Sequence, residues 1–88
     1  MAGIHLKIVT PDAMVYEGDV DSVVVRTVEG EVCILPRHID YLAALGTGEA
    51  RINADGHVRK AECSGGVIHV TGGKTVNVLS NQFSWKEE

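Results

Sequence analysis

The stretch EARINADGHVRKAEC, residues 49–63, admits few conformations. Ala50, Ile52 and Ala54 alternate with Arg51 and Asn53, a period of two that puts one set of side chains on one face of a strand. Asp55-Gly56 follows, a dipeptide that readily adopts the positive backbone angles of a tight hairpin turn. His57, Val58, Arg59, Lys60 and Ala61 then return as a more polar strand.

The same grammar recurs along the chain. IHLKIVT alternates Ile4, Leu6 and Ile8 against His5 and Lys7, and TPDA closes it as a turn around Pro11 and Asp12. MVYEGDVDSVVVRTV reads as two strands around Glu17-Gly18-Asp19, the second a well-buried strand rich in β-branched residues. Glu29-Gly30-Glu31 is a tight connection into the short strand VCIL. Pro36-Arg37-His38 interrupts the strand-formers, because a proline cannot donate to a sheet ladder. DYLAAL resumes as a strand, since GTG would stop a helix after one turn. Ser64-Gly65-Gly66 either reverses the chain or permits a bulge or close backbone approach. VIHVTGGKTVNVLS is a second hairpin, around Gly72-Gly73. The final NQFSWKEE loses the alternation and reads as a frayed end. About nine or ten short strands without crossover helices describe an all-β fold, an antiparallel sandwich or flattened barrel. There is no internal repeat, low-complexity segment or linker.

The 88 residues suit one domain with a modest core, burying about 60–65% of the unfolded surface. The net charge is −4 and the basic residues are scattered, apart from Arg59-Lys60. Nucleic acid and anionic membrane surfaces need clustered Lys and Arg, so neither is expected as a partner. No apolar run approaches the ~20 residues of a membrane-spanning helix, so no membrane insertion is expected. MAGIHLKIVTPD has no apolar stretch after a basic segment, so no secretory signal is expected either. Cys33 and Cys63 are then expected to be free and packed as small apolar residues.

Catalytic patterns are missing. His5, His38, His57 and His69, with the two cysteines, match no zinc-site spacing. His5 and His57 are expected on solvated faces and His69 half-buried. Ser64 lacks the Gly-x-Ser-x-Gly setting of a nucleophile elbow. GGKT, residues 72–75, lies between two strands and reads as a hairpin turn, not a phosphate loop. Glu29 and Glu31 flank a turn glycine and are expected to be solvated. These residues describe a binding or assembly module with no cofactor, metal or small-molecule substrate.

EGEVCILPRH, residues 29–38, resembles the Glu-Gly-Glu-x-x-Ile-x-Pro-x-His segment of the epsilon subunit of the F-type ATP synthase. LKIVTPDAMVYEGDVDSVVV is similar to that family's opening strands. GTGEARI resembles its Pro-Gly-x-x-Arg-Ile strand start, with Thr47 at the usual proline, and SGGVIHVTGGKTVNVLS its Ser-Gly-Gly strand and following hairpin. The likeness covers residues 4–80. Arg37 and Cys33 stand where glycine is common in the family.

The resemblance implies an antiparallel ten-stranded β-sandwich at the foot of a rotating central stalk. Residues 1–80 would form the sandwich domain, and 81–88 a short tail where relatives continue into a helical hairpin of roughly forty residues. Either the subunit consists of the sandwich alone, or these residues belong to a longer chain. As it stands, inhibition of hydrolysis by such a lobe is not expected. The gamma subunit would be met by Thr10, Pro36, Arg37, His38 and Ile39, and the ring of membrane subunits by Glu29, Gly30 and Glu31. The role is mechanical: a rigid sandwich clamped to both parts stiffens the joint that couples rotation to ATP synthesis. The implied location is peripheral, on the cytoplasmic face of a bacterial inner membrane or its organellar equivalent. The alternative, a free-standing β-sandwich that binds a small ligand or carbohydrate, needs aromatics lining a groove. Tyr16, Tyr41, Phe83 and Trp85 are scattered in sequence.

Overall fold

The computed structural model describes residues 3–37 and 40–86. Eight strands follow one another: β1 (Ile4–Val9), β2 (Met14–Val20), β3 (Ser22–Thr27), β4 (Gly30–Ile34), β5 (Tyr41–Ala44), β6 (Thr47–Ala54), β7 (His57–Thr71) and β8 (Thr75–Lys86). Their order is β2-β1-β8-β7-β6-β3-β4, with β5 also paired to β7.

The described residues therefore form eight continuous strands, not ten. The difference lies in β7 and β8, of 15 and 12 residues. Fully extended, β7 would run about 45–50 Å, yet the longest extent of the molecule is 28 Å. It must turn within its length. Gly65 and Gly66 are where it does so, with φ of 68° and 106°. Before them β7 pairs with β6 and with residues 82–86 of β8; after them it pairs with β5 and residues 75–80 of β8. Each long strand thus serves both layers of the sandwich; read from sequence, the two halves of β7 count separately and the second half of β8 is left out. Of the two readings of Ser64-Gly65-Gly66, reversal is wrong and close approach is right. A Cβ on Gly66 would lie 1.8 Å from the Leu79 carbonyl oxygen.

Three further expectations change. The sheet is not wholly antiparallel: β1 runs parallel to β8, His5 opposite Thr75 through Val9 opposite Leu79. A parallel pair needs a long connection, and the rest of the chain supplies it. NQFSWKEE is not frayed through residue 86; Asn81–Lys86 complete β8, with Phe83 opposite Cys63 and Trp85 opposite Ala61. Finally, β2 runs unbroken through Glu17-Gly18-Asp19, and the chain bends at Asp21 instead.

The core follows the period of two. Ile4, Leu6 and Ile8 of β1 meet Val23 and Val25 of β3, Ile34, Ile52, Ile68, Val70, Val76 and Val78 between the layers. Fully burying a side chain of this size stabilises by roughly 1.5–3 kcal/mol. Asp55 and Gly56, at φ of 54° and 77°, form the expected tight turn between β6 and β7. Gly72-Gly73-Lys74 forms the turn between β7 and β8.

Candidate functional site

The loop after β4 turns sharply at Pro36-Arg37. Arg37 takes φ of 68°, a left-handed conformation that a Cβ disfavours. The Arg37 N–H donates to the Gly73 carbonyl at 2.8 Å, and the Gly72 N–H donates to Asp40 Oδ1 at 2.9 Å. Gly73 packs so closely that a Cβ on it would lie 2.9 Å from the Arg37 Cα. Pro36 covers Gly3, where a Cβ would lie 2.4 Å from the proline Cγ. The loop is thus fastened to the end of the sheet where β1 and β8 begin. His38 and Ile39 lie outside the described residues.

Thr10 stands at the other end of β1. It closes a turn, its Oγ1 and its N–H both donating to the Ala13 carbonyl, at 3.2 and 2.9 Å. Six strand residues, about 20 Å, separate Thr10 from the Pro36-Arg37 loop. The sequence grouped them; the fold places them at opposite ends. The β3–β4 turn lies at Thr10's end of the sheet. Its two tip residues are Val28 and Glu29, because Gly30 and Glu31 already belong to β4. Buried Thr27 stiffens the tip: its Oγ1 donates to the Gly30 carbonyl at 2.8 Å and accepts from the Glu29 N–H at 3.1 Å. The Val28 N–H donates to the Ala44 carbonyl at 3.0 Å, tying the tip to β5. Val28 itself is 67% exposed.

Between these ends lies the outer face of β2-β1-β8-β7-β5. Register aligns Glu17, Lys7, Asn77, His69 and Leu42 in one row, and Met14, Val9, Leu79, Val67 and Ala44 in the next. The second row is apolar although it faces outward. Met14 and Leu79 are 52% and 51% exposed, and Leu42 beside them 67%. Lys7, Val9, Val67, His69, Asn77 and Leu79 line a shallow depression. A second one continues around Val9, Thr10, Pro11 and Leu79. Sequence reasoning missed this face. The signal was present: Leu42, Val67 and Leu79 are apolar in the outward phase of their strands, where a solvated face carries polar residues.

Charge is organised on the other layer. Arg51 Nη2 lies 3.3 Å from Glu31 Oε1 and its Nη1 3.2 Å from Glu49 Oε1. Lys86 Nζ lies 3.2 Å from Glu49 Oε2 and 3.8 Å from Glu62. Hydrogen bonds from Lys86, then Arg51, hold the Glu49 carboxyl below its usual range. Glu31 is therefore exposed but oriented by Arg51. Cys33 is exposed, not packed as a small apolar residue; Cys63 is buried as expected. Burial pushes the Cys63 thiol up, with the Ser80 hydroxyl 3.3 Å away acting in the opposite sense. His69 is exposed, not half-buried.

Among the described residues, no cluster of three His, Cys, Asp or Glu side chains could hold a metal ion. Among the same residues, no helix is long and apolar enough to cross a membrane. Three aromatics meet: Trp85 stacks edge-on with Tyr16, distant in sequence, and with Phe83, two residues before it, at 6.0 and 5.1 Å. They pack against the core, and the Arg59 guanidinium lies 3.8 Å over the Trp85 ring. The three rings are half-buried, and Phe83 also borders a shallow depression with Thr10, Asp12, Asn81, Gln82 and Ser84. What the geometry provides is flat, rigid and partly apolar, suited to docking a large partner.

Comparison with known proteins agrees. The ATP synthase epsilon chain of Halalkalibacterium halodurans is 50% identical over 70 residues, 80% of this chain and 53% of that one. That of Ruminococcus albus is 34% identical over 88 residues, all of this chain and 66% of that one. The chain thus spans about half to two thirds of the length of these relatives. In fold it is similar to a chain in the Euglena gracilis mitochondrial ATP synthase (OSCP, F1 and c-ring in rotational state 1). The TM-score there is 0.90 at 24% identity, covering 97% of this chain and 54% of that one. A chain in the central stalk and c-ring of the Tetrahymena thermophila mitochondrial ATP synthase gives 0.80 at 17% identity, covering 92% and 65%. The description "ATP synthase, Delta/Epsilon chain, beta-sandwich domain" matches residues 3–86, and the chain belongs to that family.

Proposed function

We propose that this sandwich is a non-catalytic part of the central stalk of an F-type ATP synthase, joining the gamma subunit to the membrane ring. The observation that carries the reading is the outward apolar row Met14, Val9, Leu79 and Val67, with Leu42 beside it. A contiguous apolar patch on a soluble surface marks a docking site. Thr10 borders the patch, and the Pro36-Arg37 loop lies at the far end of the same face, beyond the rows of Lys7 and His5, so a partner that covers both must span the length of β1. Gamma is assigned to this face. The second partner is the ring, assigned to the rigid Val28-Glu29 tip with Gly30 and Glu31. The carboxylates there complement basic and polar ring ends. In this reading the subunit is peripheral, at the cytoplasmic face of a bacterial membrane or its organellar counterpart.

The mechanism is mechanical. Torque passes through the sandwich, and slip is resisted by β7 and β8, each of which runs through both layers. Both contact ends are pinned by backbone hydrogen bonds, Arg37 to Gly73 and Val28 to Ala44.

The test replaces Leu42 and Leu79 together by Glu. Both are more than half exposed, so the fold survives, as circular dichroism checks. Burying unpaired charge at an interface costs about 2–5 kcal/mol, so gamma binding weakens by at least about 30-fold. Unchanged affinity in the folded double variant would mean that gamma docks elsewhere.

A further inference from the structure

His5 lies on the outer face, near the end fastened by Pro36, between two carboxylates of β2. Its Nε2 is 3.0 Å from Glu17 Oε2 and its Nδ1 is 3.2 Å from Asp19 Oδ1. A neutral imidazole has one N–H and one lone pair. In either tautomer, one ring nitrogen would point its lone pair at a carboxylate. Only the imidazolium, with two donors, satisfies both contacts. The remaining neighbours are few. Lys7, on the same strand, stands opposite Glu17 in register. On β8 the adjacent residues Thr75 and Asn77 do not titrate. At the β7–β8 turn, Lys74 accepts the His5 backbone N–H at its carbonyl, at 2.6 Å.

We propose that His5 is a proton-operated clamp that, when protonated, ties the edge strand β2 to β1 through both carboxylates. Among the described strands β2 pairs only with β1, so its side-chain ties matter more than those of an interior strand. β2 also carries Met14. Protonation therefore firms the border of the docking face, a consequence that rests on the docking reading above.

The two hydrogen bonds, Glu17 first and Asp19 second, raise the His5 pKa above its ordinary 6.5. With the folded value raised, the tie is fully present below about 6.5 and lost as pH climbs through the folded pKa.

The test is NMR on the 88-residue chain. The His5 ring is titrated, and exchange of β2 amides is compared with β3 at pH 5.5 and 8, corrected for intrinsic rates. His5 titrates above 6.5, and β2 protection relative to β3 falls about two- to five-fold across the titration. Glu17→Gln with Asp19→Asn returns the ring to its ordinary value, and His5→Gln removes the pH dependence. Titration of the native ring at or below 6.5, or the same pH dependence in His5→Gln, would overturn the clamp. These readouts need no partner, so they are independent of the docking assignment. Equal gamma affinity at pH 6 and 8, with the clamp seen by exchange, would overturn only its consequence for docking.

Discussion

Arg37 holds a conformation that its own Cβ resists, at a position where glycine is common in the family it resembles. The left-handed region costs a non-glycine residue about 1–2 kcal/mol, and replacement by glycine costs about 0.5–1 in unfolded-state entropy. Arg37 is exposed, so the change loses no core packing. Arg37→Gly should therefore stabilise by roughly 0.5–1 kcal/mol and raise the melting temperature by a few degrees. A lower melting temperature would show that the guanidinium makes a contact worth more than the backbone strain. Glu31 teaches a complementary lesson. Its carboxylate is exposed, as expected for a residue presented to a partner, yet Arg51 from β6 orients it.

At the scale of elements, the bend of β7 is the feature on which the sandwich turns. Gly56 and Gly66 both have positive φ, but a Cβ on Gly56 meets nothing within 4 Å while one on Gly66 strikes the β8 backbone. Gly56→Ala should cost about 0.5–1 kcal/mol, the left-handed penalty less the entropy gained in the unfolded state. Gly66→Ala adds overpacking and should cost about 1.5–4 kcal/mol, read by urea denaturation. Equal losses would mean that β8 yields to the methyl group. The second half of β8 is equally structural. It supplies Phe83 and Trp85, and its Gln82 carbonyl accepts the hydrogen bond of the buried Ser80 hydroxyl at 2.6 Å. A chain ended after Ser80 should melt at least about 15 °C lower, since losing a packed aromatic alone costs about 3–5 kcal/mol. An unchanged melting temperature would restore the reading of residues 81–88 as a tail.

At the scale of the molecule, the two proposed interaction surfaces share one sandwich, and neither proposal calls on a catalytic group. In the proposed role, the 88 residues added to an epsilon-depleted complex should restore coupling of proton flow to ATP synthesis without an ATP-relievable brake on hydrolysis. The measurement is hydrolysis at low ATP beside proton pumping in vesicles. Strong inhibition relieved by ATP would reveal a braking surface on the sandwich itself.

Alternation and turn chemistry are local, so residues alone determined most of the strands, the Asp55-Gly56 and Gly72-Gly73 turns, the all-β character of the described residues and the inward phase of β1 and β6. The motifs around Glu29, Pro36 and Ser64 carried the resemblance to the family for the same reason: each is a short backbone requirement. Adjacency is not local. The parallel pairing of β1 with β8, the passage of β7 and β8 through both layers, and the strand character of residues 81–86 depend on burying two sheet faces at once. Tertiary structure also decided which residues share a surface. It separated Thr10 from Pro36 by the length of β1, gathered Leu42, Val67 and Leu79 into one apolar row, and set His5 between Glu17 and Asp19. Each outcome follows from register, and register is chosen by the packing of the whole sandwich.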